Sequence, residues 1–197
     1  MLKSSTVLLV RHAEKPSSGP GLSPDGQQRA QAYVNYFKSF KASEVGSPKT
    51  KPADIKWVFA AADDPGTSYR PRLTVSPFAE SALLPFSACV PDKDYTALVK
   101  ELYENKAYDG TGVLICWHHQ QIINLANALL NKSDTVDQPA LPPGSCWPSK
   151  WPGTVFGWLL QICFDSSGKP KPTWVRCLNE KLMPDDTQDP CTPKKTT

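Results

Sequence analysis

Short apolar runs alternate with amphipathic stretches along this chain. Thr6-Val-Leu-Leu-Val-Arg-His12 is a nearly unbroken apolar run that ends in charge, the pattern of a strand buried on both faces. Ala30, Tyr33, Val34, Phe37 and Phe40 then recur at spacings of three and four, which predicts an amphipathic helix. Ser23 suits its N-cap, Pro24 its first position and Asp25 its first turn. The polar linker SEVGSPKTKPAD leads to a second buried strand at 55–61, IKWVFAA. The loop DDPGTS follows, then a helical segment over roughly 69–84. A third strand, GVLICW, occupies 112–117, and QQIINLANALLN is the helix after it. Residues 132–154 read as a Pro-rich loop, and VFGWLLQICF and TWVRCLNEKLM as a strand pair joined by DSSGKPKP.

Alternation of this kind implies crossover connections. The expected fold class is α/β: three layers, α/β/α, with a mostly parallel central sheet and helices on both faces. One domain is expected over residues 1–183, with 184–197 as a flexible C-terminal tail.

Composition narrows the function classes. A hydrophobic share of 40% and a charged share of 21% are ordinary for a globular protein. The net charge of +3 is mild and no basic run is long, which argues against a nucleic-acid surface. No apolar stretch has membrane-spanning length, so no membrane partner is expected. The opening MLKSSTVLLVRH runs straight into charge without a small-residue cleavage site, and so reads as a strand rather than a secretory signal. Six cysteines contain no CxxC pair, which disfavours a zinc ribbon; without an export signal, reduced thiols and a cytoplasmic location are expected. Cys116 and Cys163 lie in apolar runs and suit core positions.

In an open parallel sheet the carboxyl ends of the strands form the ligand crevice. Here they deliver Arg11-His12, then Ala61-Ala62 with a loop leading to Arg70, then His118-His119. The chain has only three histidines, and every one stands at such an end. Arginines pair bidentately with phosphate oxygens. An imidazole kept neutral by cationic neighbours can attack phosphorus, and a second histidine with the arginines can stabilise the transferring group without a metal. Zinc ligation by His12, His118 and His119 is disfavoured because the neighbouring arginines repel a cation. A non-catalytic protein binding an anionic ligand is the alternative from a different class.

These residues carry a resemblance. LLVRHAEKP resembles the opening motif of the histidine phosphatase superfamily, the phosphoglycerate mutase-like group, and GLSPDGQQRAQAYVNYF resembles its next element. The resemblance implies a phosphoglycerate mutase-like fold, His12 as the phosphorylated nucleophile and Arg11 as a phosphate ligand. TSYRPRLTVSPFAE places Arg70, four residues before Thr74, at the family's second arginine. Arg72 is an extra cation, either a helix-face charge or a phosphate contact. Aligning CWHH to a Trp-Glu-His version of the second motif favours His119 as the second catalytic histidine, with Ile122 in support; counting from the apolar run selects His118. Glu14 is expected to orient Arg11 or cap a loop. The family's acid phrase has no match here, which leaves Asp63, Asp64, Asp94 and Glu101 as candidate proton donors. No long insertion encloses the site, so hydrolysis of a small phosphorylated molecule, with no cofactor and no metal, is expected over mutase activity. Trp147, Trp151 and Trp158 are expected to pack over the core rather than overhang the site.

Overall fold

The computed structural model describes residues 1–131 and 140–192; residues 132–139 of the Pro-rich loop and 193–197 of the expected tail lie outside the described residues. The chain runs β1 (Thr6–Arg11), α1 (Pro24–Lys38), β2 (Lys41–Ser43), β3 (Thr50–Pro52), β4 (Ile55–Ala61), α2 (Arg70–Ser81), β5 (Phe86–Val90), α3 (Tyr95–Glu104), β6 (Gly112–Trp117), α4 (Ile122–Asn131), β7 (Trp158–Phe164) and β8 (Pro170–Asn179). Six strands form one sheet in the order β5-β4-β6-β1-β7-β8. The first four are mutually parallel, and β7 and β8 add an antiparallel pair. The expected mixed, mostly parallel sheet is present.

Alternation along β1 explains the layers. Val7 and Leu9 pack with α3 and α4 through Leu98, Leu102, Ile122 and Leu125. Leu8 and Val10 point the other way, onto Tyr33 and Phe37 of α1 and Val75 and Phe78 of α2. The strand is therefore buried on both faces, which is why its sequence runs apolar without alternation. The small β2–β3 ladder begins just before the expected polar linker and continues within it, pinned to the sheet by Gln161, whose side chain bonds both the N–H and the carbonyl of Ser43.

The N-terminus of α1 rests on the chain just after β1. Ser23 Oγ accepts from the Gly26 N–H at 3.1 Å, the expected N-cap. A Cβ on Gly26 would collide with the Glu14 carbonyl oxygen and lie 3.0 Å from the Glu14 nitrogen. Because that neighbour is backbone, Gly26→Ala is expected to cost about 1–3 kcal/mol in urea unfolding. An unchanged unfolding midpoint would show that α1 can slide away from the site.

Two expectations are corrected. The six cysteines are not all reduced thiols: Cys146 and Cys191 form a disulfide, while Cys89, Cys116, Cys163 and Cys177 are free. Disulfides persist in oxidising surroundings, so the cytoplasmic placement loses the support it drew from reduced thiols. Residues 184–192 are also tied back to the body rather than loose. Asp186 joins a buried ion cluster, the Gln188 carbonyl accepts from Trp158 Nε1, and Cys191 is cross-linked. No helix among the described residues is long and apolar enough to cross a membrane.

Candidate active site

β1, β4 and β6 end side by side, and the His12 N–H donates to the Trp117 carbonyl at 3.0 Å across that edge. Arg11 and His12 are only 2% and 3% exposed. The Nδ1 of His12 lies 2.8 Å from its neighbour's carbonyl, that of Ala13. That contact requires the proton on Nδ1 and leaves the Nε2 lone pair free. Burial, and then the charge of Arg11, push the His12 pKa down to about 2, so the ring is neutral at any ordinary pH.

Arg11 is held from one side. Its Nη1 donates to the carbonyls of Pro152, Gly153 and Val155, and the guanidinium stacks 3.9 Å from the Phe156 ring centroid. Burial lowers its pKa to about 10, which still leaves it charged. Its Nε is buried with no acceptor among the described residues. Arg70 opens α2, so it arrives with the positive end of a helix. One of its nitrogens donates to the Gly19 carbonyl at 3.3 Å, and its Nε is likewise buried without an acceptor among the described residues. Thr74 joins the two elements: its hydroxyl donates to the Arg70 carbonyl at 2.8 Å and accepts from the Ala13 N–H at 2.9 Å. The charge of Arg70 depresses both His12 and His118.

His118 and His119 are placed differently. The ring of His118, not that of the favoured His119, stands against His12, with centroids 5.2 Å apart and edge to face. Burial, then Arg70, lower its pKa to about 4. His119 turns toward the Pro-rich loop: its Nδ1 lies 3.4 Å from Arg11 Nη2, and a Cβ on Gly153 would be 3.7 Å from its Nε2. Burial and the cations Arg11, Lys15 and Lys150 lower its pKa. The three imidazoles thus do not converge on one point, and among the described residues no three metal-ligating side chains are grouped.

The carboxylates also fall differently from expectation. Glu14 does not orient Arg11; both its oxygens take Arg29, at 2.6 Å in the shortest contact. Asp63 binds Arg72 Nε through both oxygens, at 2.9 and 3.1 Å. Asp64 sits in an exposed turn closed by Ser68, Asp94 is exposed at the start of α3, and Glu101 accepts from the Tyr108 hydroxyl at 2.6 Å. The carboxylate hydrogen-bonded at the histidines is Asp92, which sequence alone does not single out; the charge of the exposed Asp64 also acts on His118, a smaller upward effect against burial and the nearby cations. Asp92 accepts the backbone N–H of His118, and its Oδ1 is buried without a partner among the described residues. Its carbonyl meanwhile accepts Trp117 Nε1 at 3.0 Å. Burial raises its pKa to about 6. The three tryptophans pack on the core, as expected: Trp151 and Trp158 are buried with rings 5.8 Å apart, Trp147 bonds Asn127, and Trp151 Nε1 donates to the Val155 carbonyl that Arg11 shares. The aromatic ring that does reach the site is Phe156, 6.2 Å from His12.

No family model and no curated protein sequence matches this chain. Solved structures do. The protein from Nakamurella multipartitia named as phosphohistidine phosphatase SixA aligns at a TM-score of 0.52 and 17% identity, covering 88% of this chain and 92% of that one. The corresponding protein from Agrobacterium tumefaciens aligns at 0.50 and 14% identity, covering 81% and 92%. The two histidines and two arginines therefore stand on a fold similar to that of these two solved structures.

Proposed function

We propose that this protein is a metal-independent phosphatase that hydrolyses a small phosphorylated molecule through a phosphohistidine on His12. One observation carries the reading. Two guanidinium Nε–H groups, of Arg11 and Arg70, are buried without acceptors at the corner where a neutral imidazole presents a free nitrogen. Buried donors are nearly always satisfied, and a phosphate supplies the oxygens these two lack. The likeness of fold to proteins named as phosphohistidine phosphatases agrees with it.

In the first step His12 Nε2 attacks phosphorus, a P–N bond forms and the bond to the leaving oxygen breaks. Arg11, Arg70 and His118 stabilise charge on the equatorial oxygens. Asp92, protonated up to about pH 6, gives its proton to the departing oxygen. In the second step a water attacks the phosphorus, returns a proton to Asp92 and frees the imidazole. Alkaline quenching during turnover of an aryl phosphate, followed by mass mapping, is expected to find phosphate on the peptide containing His12. Turnover without any such adduct would refute the reading.

The role of Asp92 has its own signature. An acid that must be protonated loses effect as pH rises through its pKa, so log kcat/KM is expected to fall with unit slope above about pH 6. Phosphate monoesters titrate in the same range, so the control is the variant. Asp92→Asn should lower kcat by about 10²–10⁴ and remove one unit of that slope. An unchanged slope in the variant assigns the limb to the substrate and strips Asp92 of the role.

A further inference from the structure

The disulfide joins two arms, and both end on groups that hold the carboxyl end of β1. From Cys146 the chain passes through Trp151 to the carbonyls of Pro152, Gly153 and Val155, which grip Arg11. From Cys191 it runs back through Gln188 to Asp186, whose two oxygens bind Arg29 at 2.8 and 3.0 Å. Arg29 in turn holds Glu14, two residues after His12. Resting on the oxyanion reading above, we propose that the Cys146–Cys191 disulfide is a redox-sensitive clasp that positions Arg11 and His12 for the phosphoryl group.

The chemistry is ordinary exchange. Cys191 is exposed and Cys146 partly so, and accessible disulfides are the labile ones. One thiolate of a small dithiol attacks Cys191 Sγ, the S–S bond breaks, and Cys146 leaves as a thiolate. The second thiol of the reagent then displaces Cys191. The protein gains two electrons and two protons, and the dithiol becomes a cyclic disulfide. Reduction frees both arms over a sequence separation of 45 residues. The hydrogen bonds of Trp151 to Val155 and of Trp158 to Gln188 survive it, so the site loosens without coming apart. A displacement of this kind is expected to weaken phosphate binding about tenfold, since small misplacements of catalytic groups have effects of that order or larger.

The test uses the intact protein and inorganic phosphate as probe. Thiol titration after unfolding without reductant should find four free thiols, rising to six after dithiothreitol. Phosphate affinity, measured by calorimetry, should fall about tenfold on reduction and return on reoxidation. Circular dichroism and Tm confirm that both forms are folded at the assay temperature. The double variant Cys146→Ser, Cys191→Ser should bind like the reduced protein and ignore the dithiol. Six free thiols at the outset, or equal phosphate affinity in both redox forms, overturns the clasp. Absence of phosphate binding in the oxidised protein instead overturns the oxyanion site itself, so the two failures are told apart.

Discussion

His12→Ala is expected to abolish turnover of an aryl phosphate, with kcat/KM falling by about 10⁴-fold or more, the scale seen when a covalent nucleophile is removed. Affinity for inorganic phosphate should change far less, because Arg11 and Arg70 keep their unsatisfied donors. The variant loses a short hydrogen bond to the Ala13 carbonyl, so a stability loss of about 1 kcal/mol is expected alongside. That is too small to account for lost turnover in a folded protein. The neighbouring histidines separate by geometry. His118, with its ring against His12, should cost about 10²–10³ when replaced by alanine, as for other groups that stabilise developing charge. His119, whose Nδ1 faces Arg11 from the rim, should cost less than about tenfold. Steady-state kinetics on the three variants decides the register. If His119→Ala proves as damaging as His12→Ala while His118→Ala is nearly silent, the assignment drawn from ring geometry is wrong. Acidity adds a second check. With His12 at about 2 and His118 at about 4 in the free protein, neither ring titrates above pH 5, so kcat/KM should show no limb rising with pH near 6.5, only the fall expected from Asp92 and the substrate. A rise through an ordinary histidine pKa would show that the site is more solvated than its burial indicates.

The legible parts of this chain are those where burial writes directly into composition. β1, β4 and β6 lie inside the sheet with helices over both faces, so their sequences are continuous apolar runs with sharp ends. Those ends mark where charge is delivered, and Arg11, His12 and Arg70 followed from them. β5 is an edge strand with mostly half-exposed residues, and Phe-Ser-Ala-Cys-Val has no run to betray it. Asp92 was hidden for the same reason: it follows that edge strand, and its link to the site is a backbone N–H, which leaves no pattern in side-chain type. The choice between His118 and His119 turns on one residue of register at a strand end, where a single step reverses the side chain. The His118 carbonyl accepts from Gln121 and Ile122, so the turn into α4 is already under way there. Pairing of Cys146 with Cys191 has no local signature at all. Arg29 did leave a trace: it stands four residues before Tyr33 and eight before Phe37, a charge on the apolar face of α1, where only a buried partner would make it tolerable.

That arginine is where the largest stability effect is expected. Arg29 is fully buried and faces three carboxylates: Glu14 at 2.6 Å, Asp186 at 2.8 Å and Glu180 at 3.3 Å, while the Tyr33 hydroxyl donates to both oxygens of Glu180. Burial opposes its charge, but the hydrogen bonds it donates to Asp186 and Glu14 outweigh that and raise its pKa. Arg29→Met keeps the stem and deletes the charge, leaving acids without a counterion. Breaking a buried pair from one side costs about 3–5 kcal/mol, so the variant should unfold at much lower urea. The pH dependence follows from two opposite shifts. Burial works to raise the Asp186 pKa, yet bonding to Arg29 leaves it lowered, so Asp186 contributes stability above its unfolded pKa and loses it only as pH falls through the lower folded value. Burial raises Glu180 to about 8, against the pull of Arg29; its contribution is complete below its unfolded pKa and is lost as pH rises through about 8. Without the guanidinium, Asp186 loses its gain and ionising Glu180 becomes harder still. The gap between wild type and variant should therefore widen from pH 5 to pH 8. Glu180→Gln separates this from simple disruption, because an amide still accepts from Tyr33 without demanding a cation; it should lie within about 1 kcal/mol of wild type at pH 5 and gain on it at pH 8. A constant gap for Arg29→Met, or a large loss for Glu180→Gln at pH 8, would show that packing rather than charge holds α1 to the catalytic strand.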